Sequence, residues 1–210
     1  KLLKKINNSD LKNFKEIFVS PGISLRQKKF LFKNKASKIK RDLNLYISNL
    51  KNQKIIAVTG TNGKSTTTKL IGDILINNNY QTFVGGNIGR PLCDSLIYEK
   101  KFKYHVIELS SFQLETIENI NSTVSIITNL SNDHGDRYNN FKDYISQKLN
   151  ILTKKGINII SLDDKYSKKI FYKKDKLKKI SFSIINDDAD VYFKENAIID
   201  NYFYKSKVIF

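Results

Sequence analysis

The stretch Lys54-Ile55-Ile56-Ala57-Val58-Thr59-Gly60-Thr61-Asn62-Gly63-Lys64-Ser65-Thr66 decides the fold. Its first part, Lys54–Val58, is a β-branched run that reads as a buried strand. Residues 64–77 read as a helix, with Leu70, Ile71, Ile74 and Leu75 on one stripe. A glycine-rich turn between strand and helix is the context that a phosphate-binding loop requires. Backbone N–H groups around Gly63 would face phosphate oxygens, and the helix N-terminus adds partial positive charge. Lys64 would reach the β- and γ-phosphates, and Ser65 would offer a hydroxyl to Mg²⁺. The loop is a variant: the generic pattern has glycine at the position of Val58, whereas here the nearer glycine is Gly60. The bland alternative is a glycine-rich turn with an incidental lysine.

Outward from the loop, strand-like and helix-like runs alternate. Residues 14–19 read as a short strand stopped by Ser20-Pro21-Gly22, residues 25–35 as a lysine-rich helix and residues 38–50 as a mixed connector. Thr82–Val84, Tyr104–Leu109, Val124–Leu130 and Ile157–Leu162 read as strands, and 141–153 as a helix. Lys165–Lys179 reads as a surface helix. Such alternation predicts a parallel α/β sheet with right-handed crossovers. Beyond residue 185, Val191–Lys194, Ala197–Ile199 and Tyr202–Tyr204 read as a meander of short strands. The expected fold class is therefore α/β: a P-loop-type, mostly parallel sheet flanked by helices, with a small antiparallel meander at its C-terminal end.

Ligands of open α/β sheets lie beyond the C-terminal ends of the strands. Tyr104-His105-Val106-Ile107 runs into Glu108-Leu109-Ser110-Ser111-Phe112-Gln113. A carboxylate at that point beside a phosphate loop suits Mg²⁺; a salt-bridged glutamate at a sheet edge is the competing reading. Ile126–Leu130 runs into Ser131-Asn132-Asp133-His134-Gly135-Asp136-Arg137, which makes His134 a candidate for metal or substrate contact. His105, within a strand, reads as packing. Gly85-Gly86-Asn87-Ile88-Gly89 gives a ligand access to backbone, and Asn87 offers both a donor and an acceptor. Finally, Lys148 falls inside an apolar stripe of Phe141, Tyr144, Ile145, Leu149 and Leu152. An inward lysine must be paired, snorkel, or be chemically changed.

Composition narrows the class. Of 210 residues, 37 are Lys or Arg and 20 Asp or Glu, for a net charge of +17, yet 40% are hydrophobic, which suffices for a core. The lysines are spread among asparagine and isoleucine rather than clustered, so the charge reads as diffuse and not as a nucleic-acid surface. No apolar run is long enough for a membrane helix, and the basic N-terminus lacks the apolar stretch of a secretory signal. The single cysteine, Cys93, fits a reducing setting, so a cytoplasmic location is expected. The chain holds no methionine and ends in the strand-like Val208-Ile209-Phe210, so we expect a piece of a longer protein.

Taken together, the segments Ser20-Pro21-Gly22-Ile23, Gly60–Thr66, Gly86-Asn87-Ile88-Gly89-Arg90-Pro91, Ser110-Ser111-Phe112-Gln113-Leu114-Glu115 after Glu108, Asp133-His134, Asp136-Arg137 and Tyr144 with Lys148 resemble the Mur ligase family. The similarity runs in order from about residue 17 to 164 and is nearest to the branch that adds D-glutamate. It implies an ATP-dependent, amide-forming reaction through an acyl phosphate, with UDP-N-acetylmuramoyl-L-alanine and D-glutamate as substrates. It implies that Gly60, Thr61, Asn62, Gly63, Lys64, Ser65 and Thr66 bind ATP. It implies that Ser65, Glu108, His134 and a carbamylated Lys148 serve Mg²⁺, so that Lys64, His134 and Lys148 carry the chemistry. Asn87, Ser110 and His134 would contact the UDP-sugar peptide, and Ser20 and Gly22 its diphosphate end. Two positions depart from the family pattern: Gly135 replaces a larger apolar residue, and Asn44 replaces an acid.

The resemblance also implies domains. Residues 1–50 would be the remnant of an N-terminal, Rossmann-like substrate domain with its connector. Residues 51–210 would be an incomplete central ATP-binding domain, with the amino-acid-binding domain missing, and the piece alone would be inactive. The working expectation is a monomer with neither nucleic-acid nor membrane partners. The competing functions are a sister or folylpolyglutamate-type ligase and a simple P-loop NTPase; the latter has no use for a buried Lys148.

Overall fold

The computed structural model describes residues 11, 13–25, 38–97, 102–132, 138, 140–204 and 207–208. The expected helix at 25–35 and the segment 133–137, with His134, lie outside them, apart from Leu25, which is in a turn.

A two-stranded parallel pair, β1 (Ile17–Phe18) and β2 (Ile39–Lys40), precedes helix α1 (Asp42–Asn49). The expected connector thus contains a helix, whose Leu43 and Tyr46 are fully buried in the main core. Then follow β3 (Lys54–Thr59), α2 (Lys64–Asn77), β4 (Thr82–Gly86), α3 (Asp94–Ile97), β5 (Tyr104–Glu108), α4 (Ser111–Leu114) and β6 (Val124–Ile127). The chain continues through α5 (Phe141–Leu149), β7 (Ile157–Ser161), α6 (Lys165–Phe171), β8 (Lys178–Ser183), β9 (Val191–Lys194), β10 (Ala197–Asp200) and β11 (Lys207–Val208).

The second sheet is nine-stranded, in the order β11-β10-β9-β8-β7-β6-β3-β5-β4. Pairing is parallel from β4 through β9 and antiparallel in β9–β10–β11. The expected parallel sheet with a terminal meander is the observed fold. β8 and β9 overlap only at Phe182↔Val191 and Ser183↔Tyr192. That short overlap lets two parallel strands be joined without the long crossover that a full pairing needs.

The chain moves from β3 out to β4, then back through β5 and onward to β6, β7 and β8. Right-handed crossovers therefore put α2 on one face and the later helices on the other. Packing agrees. Leu43, Phe83, Ile55, Ala57, Ile107, Ile127, Leu114 and Ile151 form one buried cluster, whereas α2 meets the opposite face at Val84. Val124, Ile157, Ile159 and Phe182 share the Val84 face by register and are half-buried, whereas Ile126 and Ile180 on the same face are buried.

Three sequence expectations need correction. On α2, Leu70 and Ile74 are 58% and 53% exposed, while Thr68 and Gly72 are buried. Leu70 lies ~200° round the helix from Thr68, so the buried line is 68/71/72/75. The helix expected at 165–179 stops at Phe171, and Lys178–Ser183 is a sheet strand. Lys179 looks helical in composition but projects from β8 to the carbonyls of Ile170 (3.0 Å), Phe171 (3.3 Å) and Lys173 (2.8 Å), satisfying the end of α6. Tyr202–Tyr204 is not a strand: Asp200 Oδ1 accepts the N–H groups of Tyr202 and Phe203, both at 2.8 Å, and turns the chain before β11.

Candidate functional site

β3, β5 and β6 lie side by side with their C-terminal ends at one edge, and the loops beyond them meet there. The loop after β3 takes its shape from its own residues. Gly63 is the N-cap of α2 with φ 78°, a left-handed conformation that strongly favours glycine. A Cβ at Gly63 would touch no protein atom, so the space above the loop is open. Lys64 Nζ donates to Thr61 O at 2.8 Å, folding back over the loop.

The neighbouring strand end clamps this loop. Thr61 N donates to Asn129 O (3.0 Å), Asn62 N to Asn129 Oδ1 (2.9 Å), and Asn129 Nδ2 to Asn62 O (2.9 Å). Thr128 Oγ1 also donates to Asn62 O at 2.7 Å. Sequence reading had not singled out Thr128 or Asn129; their only signal was their place at the end of a buried strand.

Glu108 is 1% exposed at the end of β5. Its Oε2 accepts from Ser65 Oγ at 2.6 Å and its Oε1 from Asn87 Nδ2 at 2.9 Å. The segments after β3, β4 and β5 thus touch through one carboxylate; His134, expected beside the phosphate loop and Glu108, lies outside the described residues. Among the described residues no ion pair engages Glu108, whose partners are a hydroxyl and an amide. Ser110 caps α4, accepting from Gln113 N at 3.3 Å.

Lys148 is 2% exposed and does not snorkel. Its Nζ donates to Gly60 O at 2.7 Å and to Thr59 Oγ1 at 3.3 Å, and it lies 4.8 Å from the centre of the Tyr144 ring. Tyr144 OH and Thr61 Oγ1 are 3.2 Å apart, so α5 braces the loop from below through two side chains. The bracing residues lie one turn apart on the stripe that the sequence displayed.

The donor set fits a hard cation in part. Ser65 and Glu108 supply oxygen donors at hydrogen-bonding distance. Among the described residues no group of three or more His, Cys, Asp or Glu gathers to hold a metal ion alone.

Ser20 and Gly22 lie in an exposed turn closed by Ile23 N to Ser20 O at 3.0 Å, on the β1–β2 side of the molecule. Asn44, at the position where an acid was expected, accepts from Arg41 N at 2.8 Å and from Thr116 Oγ1 at 2.6 Å, which an amide oxygen does as well as a carboxylate. No described helix is long and apolar enough to cross a membrane.

A mostly parallel sheet with a glycine-rich strand–loop–helix turn and an adjoining buried carboxylate defines an α/β domain of the P-loop type. Residues 58–209 match the family described as the Mur ligase middle domain, and the chain belongs to the Mur ligase family. It is 40% identical over 196 residues to a protein named UDP-N-acetylmuramoylalanine--D-glutamate ligase from Buchnera aphidicola, covering 92% of this chain and 43% of that one. A protein of the same name from Rickettsia prowazekii is 36% identical over 190 residues, 87% of this chain and 42% of its own length. The one from Wolbachia pipientis is 43% identical over 137 residues, 65% of this chain and 26% of its own length. The chain thus spans less than half of these relatives. Among solved structures, a UDP-N-acetylmuramoyl-L-alanyl-D-glutamate--2,6-diaminopimelate ligase superposes with a TM-score of 0.61 at 16% identity, over 98% of this chain and 54% of that chain. A UDP-N-acetylmuramate:L-alanyl-gamma-D-glutamyl-meso-diaminopimelate ligase from Neisseria meningitides gives 0.58 at 13%, over 96% and 69%. At these identities the two structures speak to the fold alone.

Proposed function

We propose that these residues are the phosphate-handling part of a longer, cytoplasmic, ATP-dependent ligase that joins D-glutamate to UDP-N-acetylmuramoyl-L-alanine for peptidoglycan synthesis. The observation that carries this reading is the Ser65–Glu108–Asn87 junction over an open phosphate loop, with Lys148 buried beneath it. In this reading residues 51–210 belong to a central ATP-binding domain and residues 1–50 to a substrate domain. Val124, Ile157, Ile159 and Phe182, half-buried on one face of β6, β7 and β8, support further elements over that face elsewhere in the protein, because parallel sheets are covered on both faces.

The reaction is phosphoryl transfer followed by acyl transfer. The substrate carboxylate takes the γ-phosphoryl group and ADP leaves; the D-glutamate amine then attacks the acyl phosphate, loses a proton and expels phosphate. Such chemistry rests on positioning and charge neutralisation. Lys64 and the amides of Gly60–Thr66 would hold the phosphates. Ser65, Glu108, His134 and a carbamylated Lys148 would hold Mg²⁺, which when bound offsets phosphate charge. Asn87, Ser110 and His134 would face the sugar peptide, and Ser20 and Gly22 its diphosphate.

Phosphate release by the full-length protein tests this. It should require ATP, UDP-N-acetylmuramoyl-L-alanine and D-glutamate together, and Lys64→Ala should abolish it. Release without the sugar substrate would support a simple NTPase, and turnover with a different amino acid would support a sister ligase.

A further inference from the structure

Arg41 is 0% exposed, although it carries a permanent charge. Its Nη1 donates to Ser20 O at 2.6 Å and Val19 O at 3.3 Å; its Nη2 donates to Ile23 O at 3.3 Å and Glu115 Oε2 at 2.5 Å. One guanidinium thus gathers the inward carbonyls of the 19–23 turn on one side and a carboxylate on the other. A lysine, with three donors on a single atom, cannot span that set. Burying such an ion pair is costly, and apolar replacement is often no less stable, so stability alone does not account for it.

Glu115 ties the pair to two more segments. It follows α4, whose N-cap is Ser110, and its Oε1 accepts from Tyr138 OH at 3.3 Å. Two parallel ties reinforce the joint: Gln113 Nε2 to Asp42 Oδ2 (3.1 Å) and Asn44 Nδ2 to Thr116 O (3.0 Å). The outer side of the turn, with Ser20, Gly22 and Ile23, faces solvent.

We infer that the Arg41–Glu115 pair is a positioning joint that sets the Ser20–Gly22 turn in register with the Ser110 helix and so governs binding of the UDP-linked substrate but not of ATP. The functional half rests on the reading that this turn faces that substrate. Neither residue touches substrate; both act through the turn.

The test uses the full-length protein with Arg41→Lys and with the paired Arg41→Met/Glu115→Leu, which removes both buried charges and so keeps the fold accessible. In both, KM for the UDP-linked substrate should rise roughly tenfold while KM for ATP stays within about twofold. Amide exchange at Val19 and Ile23, whose N–H groups bond Lys40 O (2.9 Å) and Ser20 O (3.0 Å), should quicken while Val58 and Ile107 stay protected. Wild-type KM in Arg41→Lys, or equal rises in both KM values, would overturn the joint. If the wild type shows no turnover of the UDP-linked substrate, the functional reading falls by itself. The exchange measurement then decides the joint, and unchanged protection of Val19 and Ile23 in the paired variant refutes it.

Discussion

Ser65 Oγ and Glu108 Oε2 are 2.6 Å apart although 43 positions separate them in sequence. The first lies in the first turn of α2 and the second ends β5, and β3 and β5 pair in parallel with Val58 opposite Glu108. The register therefore delivers a buried carboxylate to the first turn of the helix that follows the phosphate loop.

Glu108→Gln keeps the shape of that junction but removes its charge. If the carboxylate serves a cation at the phosphates, turnover by the full-length protein should fall by roughly 10²-fold or more, and raising Mg²⁺ should recover part of it. Thermal stability should change little, since the Gln oxygen can accept from Asn87 Nδ2 while its amide nitrogen donates to the Ser65 hydroxyl, which can turn to accept. Near-normal turnover at ordinary Mg²⁺ would leave Glu108 a merely structural residue.

Lys148→Ala removes both the donor to Gly60 O and, in the proposed enzyme, the carbamate. Activity of the full-length protein should collapse, and added chloride or bicarbonate should restore part of it by filling the anionic position. Lys148→Met, which refills the space beneath the loop, should be no more active. Full activity of Lys148→Ala without added anion would eliminate the role.

The loop and the buried lysine were legible in sequence because both follow local rules: Gly63-Lys64-Ser65 sits at a strand–helix switch, and Lys148 interrupts a helical apolar stripe. Asn129 and Arg41 were not. Their partners lie 67 and 74 positions away in the chain, and no local periodicity encodes such pairings. β8 was missed for a related reason: Lys178 and Lys179 have helix-like composition, and only the neighbouring β7 makes Lys178–Ser183 a strand. The misread stripe on α2 has a different origin. Spacing alone offered Leu70 and Ile74, but the helix meets the sheet along Thr68 and Gly72.

Gly72→Ala tests that contact. At an exposed helix site the change would add up to about 1 kcal/mol of helix propensity. Here a Cβ would land inside the Val84 side chain, so α2 must shift or Val84 repack. We expect a net loss of roughly 1–3 kcal/mol, read as a lower urea midpoint at unchanged slope. The pair Gly72→Ala/Val84→Ala should recover part of the loss, and a stabilised single variant would rule out close contact.

His105 gives the fold a pH dependence of defined sign. The ring is 2% exposed among Tyr46, Phe83 and Phe102, and burial pushes its pKa down to about 4, against a weaker opposite effect from its hydrogen bond with the Phe102 backbone. Nδ1 lies 2.7 Å from Tyr46 OH, whose own pKa burial raises; which of the two donates follows the tautomer of the neutral ring. Between the unfolded value of 6.5 and about 4, the unfolded chain holds the proton more tightly than the folded one. Stability from the neutral ring is therefore complete above pH 6.5 and is lost as pH falls toward 4, by on the order of 2–3 kcal/mol. Asp175, whose pKa is lowered because hydrogen bonds from Lys179 and Leu177 outweigh its burial, loses its contribution at lower pH, so the two windows separate. Urea midpoints taken from pH 7 to 4.5 should fall for the wild type. His105→Gln should be less stable at pH 7 but flatter across the window, because the amide can accept from Tyr46 and does not titrate there. Parallel curves for the two proteins would assign the acid sensitivity to other groups.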